Sequence, residues 1–174
     1  MAGADAEERS YKGLLGSFRY SFGASESYLY KGYVLVSAAL GIALTLLFTF
    51  ALIGVIAATL GASETITLVR SFFVLVALLV IAPIIAPVLL VARRHRKRLG
   101  AGTTYDAALA IGGYLFIGAL YLGLAISVPP EHRESTTGAL GAVVETLYGL
   151  PEALGLLPPV LAIVAIVLLH RRFR

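Results

Sequence analysis

Three stretches of this chain, residues 32–63, 71–92 and 107–130, contain no Asp, Glu, Lys, Arg or His. An α-helix rises about 1.5 Å per residue, so each stretch is long enough to cross the roughly 30 Å hydrocarbon core of a bilayer. Composition agrees with that length. Apolar residues make up 59% of the chain and charged residues 14%, where a soluble domain would carry about a quarter charged. A fourth apolar run, 153–169, is shorter and spans only if its helix begins near Pro151. The sequence therefore reads as an all-α integral membrane protein, one domain over 1–174, with transmembrane helices at 33–60, 68–92, 105–128 and 151–170 forming a four-helix bundle.

Ahead of the first span, residues 11–24 place Tyr11, Leu14, Leu15, Phe18 and Phe22 on one helical face, flanked by Lys12 and Arg19. That pattern predicts an N-terminal amphipathic helix lying at the membrane interface. It is not the pattern of a signal peptide, whose apolar core is about half as long as the first span and follows a positively charged start. Ser25 is the expected cap of the first span, and Tyr28, Tyr30 and Tyr33 fall where tyrosines favour the headgroup boundary. Prolines predict kinks at Pro83 and Pro87 in the second span and at Pro158 and Pro159 in the fourth. Between the third and fourth spans, 129–150 reads as an extracytoplasmic loop holding a short surface helix.

The run RRHRKR, 93–98, directly follows the second span. Together with Arg9, Lys12, Arg19 and Lys31 at one end of the chain, and Arg171, Arg172 and Arg174 at the other, it leaves only Arg70 and Arg133 for the opposite side. Cytoplasmic loops carry the excess of Lys and Arg, so both termini and this loop are expected in the cytoplasm, in a multi-pass plasma-membrane protein. Arg outnumbers Lys and Ala, Gly, Leu and Val dominate, which suggests a GC-rich prokaryotic source. Arg93, Arg94, Arg96, Lys97 and Arg98, with Lys12 and Arg19, are the expected contacts for anionic lipid headgroups. A nucleic-acid partner is not expected, since the run is short, lacks interleaved aromatics and lies against a competing bilayer.

Chemistry-bearing constellations are absent from the sequence. There is no cysteine, and no Asp, Glu, Lys, Arg or His lies inside the apolar stretches 32–63, 71–92, 107–130 and 153–169, where a proton path or intramembrane catalyst would need one. Glu131, His132 and Glu134 are too close in sequence to converge on a metal, and Asp106 reads as a charge at a helix N-terminus. Catalytic, cofactor and metal sites are therefore expected to be none. What remains are small-residue faces for helix packing: Ser37, Gly41, Thr45 and Thr49 on the first span, and Ala108, Gly112, Ala119 and Gly123 on the third. Gly41 and Gly112 are both expected to be close-approach positions. The resulting expectation is a non-enzymatic accessory or structural subunit of a membrane complex, with a protein partner or a second copy in the membrane. The alternative is a small transporter or channel subunit, its path lined by the kinked helices and by Tyr114 and Tyr121.

Overall fold

The computed structural model describes residues 13–59, 65–97, 102–133 and 139–173. Among these residues the regular structure is all helical: α1 (Gly13–Ala24), α2 (Tyr28–Ala58), α3 (Thr65–Arg96), α4 (Thr103–Ile126), α5 (Ala139–Tyr148) and α6 (Leu157–Phe173), with 3-10 turns at Pro130–His132 and Glu152–Leu156. Four helical segments are long and apolar enough to cross a membrane: Tyr28–Ala58, Leu68–Arg96, Thr103–Ile126 and Glu152–Phe173. The chain divides into two compact units, Met1–Ala107 and Ala108–Arg174, with the division inside α4.

In the first unit α2 starts at Tyr28, five residues before 33, and its cap is Ser27 rather than Ser25. The Ser27 side chain accepts the Tyr30 N–H at 3.3 Å, closing one of the donors that a helix start leaves open. Ser25 is thereby released for a different contact. α2 and α3 form an antiparallel hairpin. At one end Phe48 and Phe73 meet edge-to-face, 5.4 Å between centroids, and Arg70 donates to Thr59 Oγ1 at 2.7 Å. Toward the other, the buried Tyr33 hydroxyl donates to the Ile84 carbonyl at 2.6 Å and Tyr30 to the Val88 carbonyl at 3.4 Å. These bonds bracket Pro87, which leaves the Pro83 carbonyl without its usual donor and crowds the turn before it. The helix continues through both prolines to Arg96, so Arg93–Arg96 form its last turn.

α1 packs mainly on α3 and also touches α2. It enters through Gly13 at φ +84°, a left-handed conformation that strains any residue with a Cβ. Its packed face is not the aromatic one. Ser17, Ser21 and Ser25 are buried, and with Gly13 they recur every fourth residue, so the side chains that meet α3 are small and the backbones approach closely. Ser17 and Ser21 return their hydroxyl protons to the Gly13 and Phe18 carbonyls. Leu14, Leu15 and Phe22 point outward.

The second unit is organised by α6 running antiparallel to the later part of α4. A Cβ built on Gly112 would lie 3.1 Å from side-chain atoms of both Ile166 and Leu169, and one on Gly123 would run into the Gly155 carbonyl and come within 3.3 Å of Pro159. Gly155 in turn faces the Ser127 hydroxyl, which donates to the Glu152 carbonyl at 3.3 Å. Pro158 and Pro159 stand in the first turn of α6, where a missing N–H costs nothing, and the preceding Glu152–Leu156 winds as a 3-10 turn. Ala108 is buried and Ala119 half-buried.

The two glycines paired by the sequence pattern differ. At Gly41, which is buried, a Cβ meets only the Ile85 side chain, at 3.9 Å, an ordinary contact. Along the same face Ser37 is buried but Thr45 and Thr49 are exposed, and both threonines satisfy their hydroxyls on their own helix, at Gly41 O and Thr45 O. Gly112→Leu and Gly123→Leu should therefore each destabilise the protein by roughly 1 to 3 kcal/mol through overpacking, while Gly41→Leu, and Gly118→Leu at a position open to space, should stay close to the parent. Thermal unfolding of the four variants in one detergent checks this; equal losses at Gly41 and Gly112 would contradict the packing described.

Candidate functional site

Ser25, His95 and Asp106 of the first unit meet at the junction of α3 and α4. Asp106 lies in the first turn of α4 and is 1% exposed. Its Oδ2 accepts the Ser25 hydroxyl at 2.5 Å and stands 2.9 Å from His95 Nε2, which a carboxylate acceptor makes the proton-bearing nitrogen. Three segments are joined on one oxygen: the turn after α1, the end of α3 and the start of α4. The Ser25 oxygen also accepts the Ser27 N–H at 3.2 Å, tying the clamp to the turn that starts α2.

The sequence builds this site from two helix termini. α3 ends in Arg93, Arg94, His95 and Arg96, cations set against the negative end of the helix dipole, and α4 opens with Asp106 at a positive end. His95 and Asp106, from these two termini, thereby meet. The neighbouring pair does the same by stacking: the Arg94 guanidinium lies 4.1 Å from the centroid of the Tyr105 ring, a cation–π contact on a buried aromatic. Beside the clamp is a cleft of about 380 Å³ lined by Ala24, Glu26, His95, Gly102, Thr103 and Asp106. Oδ1 of Asp106 is buried and makes no hydrogen bond among the described residues.

Ser, His and Asp together invite comparison with a nucleophilic triad, and the connectivity rejects it. In a triad the imidazole bridges serine and carboxylate and takes the serine proton. Here the hydroxyl and the imidazole both address the same carboxylate oxygen, so Ser25 has no base acting on it through His95. The arrangement holds chain segments together.

The cationic run thus divides. His95 and Arg94 turn inward, to Asp106 and Tyr105, while Arg93, Arg96 and Lys97 are exposed, as is Arg19 on α1. Lys12 and Arg98 lie outside the described residues. Glu131 and His132 are both exposed and 3.9 Å apart, and Glu134 lies outside the described residues. Tyr121 is exposed and Tyr114 half-buried. Sequence reasoning missed the clamp because it assigned Ser25 and Asp106 separately to capping. The signal available was the fourfold spacing of Gly13, Ser17, Ser21 and Ser25, which puts Ser25 on the packed face of α1.

Ser25→Ala should cost about 1.5 to 3 kcal/mol, the usual range for a hydrogen bond to a charged group, because it leaves a buried carboxylate short of a donor. In a double-mutant cycle with Asp106→Asn, the two changes should couple by at least about 0.5 kcal/mol. Unfolding measurements that gave additive losses would show that the bond is not part of the folded protein's stability.

No curated protein and no solved structure matches the chain. A family model matches residues 1–174, and the chain belongs to that family, described as a domain of unknown function, DUF8056.

Proposed function

We propose that this is a multi-pass membrane protein, all four long apolar segments crossing the bilayer, which works without catalysis as an accessory or structural subunit of a membrane complex. The observation that carries this reading is how its polar groups are spent. Asp106, the buried charged side chain of the described core, is fixed by Ser25 and His95 at a helix junction. Along α2, Ser37, Thr45 and Thr49 give their hydroxyl protons to carbonyls of their own helix. The clamp on Asp106 joins helix ends, and hydroxyls spent within their own helix offer no donor to a path through the bilayer. The outward surfaces of α2 and α3 are apolar, with Leu46, Leu47 and Phe50 on one and Leu75, Leu78 and Leu79 on the other, which suits lipid and neighbouring helices alike.

In this reading the α3–α4 junction and both termini face the cytoplasm of a prokaryotic cell, in the plasma membrane, because the Lys and Arg excess gathers there. The exposed cations Arg93, Arg96, Lys97 and Arg19 then meet anionic headgroups, each contributing on the order of 1 kcal/mol near the surface. A reporter fused after Arg174, or inserted at 99–102, should be cytoplasmic, and one inserted beside Ser135 external; an external carboxy terminus sinks the four-span topology. For the subunit role, purification from native membranes in mild detergent should give a reproducible, stoichiometric protein complex. A homo-oligomer that releases trapped ions or solutes from proteoliposomes would replace this reading with that of a transporter or channel.

A further inference from the structure

Between α1, α2 and α3 the first unit carries an outward-open groove of about 290 Å³, lined by Leu14, Phe18, Gly41, Ile42, Thr45 and Ile85 among others. We propose that this groove holds one acyl chain of an anionic phospholipid whose phosphate is bound by Lys31 and Arg19. The inference rests on the membrane reading above and adds a specific, saturable lipid site to it.

The walls select an apolar occupant. The hydroxyls that border the groove, Ser37 and Thr45, already donate to the Val34 and Gly41 carbonyls at 3.1 and 2.6 Å, so they ask nothing of a ligand. The missing side chain at Gly41 makes part of the space: a Cβ there would find only Ile85, at 3.9 Å. The mouth opens outward, where Leu15, Ile42 and Leu46 are 82, 60 and 53% exposed.

The charge at one end selects the headgroup. Phe18 lines the groove, and Phe22 stands one turn further along α1. The Lys31 ammonium lies 5.7 Å from the Phe22 ring centroid and 5.9 Å from that of Tyr28, contacts that hold it beside this end of α1. Arg19 is exposed one turn from Leu15 on the same helix. The depth also fits. Lys31 precedes Gly41 by ten residues, about 15 Å of helix, which is half of the roughly 30 Å hydrocarbon core. A phosphate at the level of Lys31 therefore hangs its acyl chain past Ser37 to Gly41 and Leu46.

The test uses the full chain in mild detergent, titrated separately with phosphatidylglycerol and with phosphatidylcholine bearing identical acyl chains, and read by native mass spectrometry. Phosphatidylglycerol should saturate at one molecule per chain and bind several-fold more tightly. Gly41→Leu should weaken it by about fivefold or more with thermal stability unchanged. The double variant Arg19→Gln, Lys31→Gln should bring phosphatidylglycerol down to the phosphatidylcholine level while leaving chain binding in place. Binding that does not saturate, or that is indifferent to both variants, overturns the proposal. A photoreactive residue at Ile42 should label lipid in membranes; labelling of a second copy or of the chain's own amino terminus instead also overturns it. Failure of the membrane reading is separately visible, as protein released from membranes by alkaline carbonate.

Discussion

A helix that is apolar on every side gains nothing by turning one face rather than another toward its neighbour, so hydrophobic burial cannot choose its packing. In this chain the choice falls to small residues and to a few hydrogen bonds. α1 turns its serines inward and its leucines outward, the reverse of a helix on a soluble core. α6 docks where Gly112, Gly123 and Gly155 leave room for backbone and for Ile166, Leu169 and Pro159. Tyr30 and Tyr33 reach across from α2 to carbonyls of α3. Each of these contacts is short-ranged and directional, which is what distinguishes one arrangement of greasy cylinders from another.

The clamp on Asp106 is the most demanding of them. A carboxylate shielded from water is costly unless its oxygens are met by donors, and here a hydroxyl and an imidazole from two different segments meet the same oxygen. Removing either partner strands a charge, so the first unit must bring the turn after α1, the end of α3 and the start of α4 together or not fold well. The position at helix ends lowers the cost, with the carboxylate near the positive end of one dipole and the imidazole near the negative end of another.

Much of the scaffold was legible in the sequence, because span length and charge-free runs depend only on local composition. The four long apolar segments fall where hydropathy puts them, with ends displaced by a few residues. Those displacements are local: α2 already begins at Tyr28 behind its Ser27 cap, and α3 runs on through Arg96. What the sequence did not disclose are pairings across the chain. Ser25 and Asp106 are separated by 81 positions, and each has a sufficient local explanation, so neither called for the other. Gly41 and Gly112 look alike in their helices, yet one borders a groove and the other lies under Ile166 and Leu169, a difference set by the neighbouring helix alone.

The cationic run shows why local explanations mislead. As a sequence it is a block of equivalent charges, and neutralising all of it would seem a clean way to ask whether the charge binds lipid. In the structure the block is two sets. Arg94 stacks on Tyr105 and His95 bonds to Asp106, so removing the whole run also opens the α3–α4 junction and confounds surface charge with folding. Arg93, Arg96 and Lys97 are the exposed set, and their attraction to an anionic surface is screened over about 8 Å at physiological salt, whereas contacts between buried groups are screened far less. Salt therefore separates the two contributions: the part of any neutralisation effect that disappears with ionic strength belongs to the exposed cations, and the part that persists belongs to the junction that Asp106 holds together.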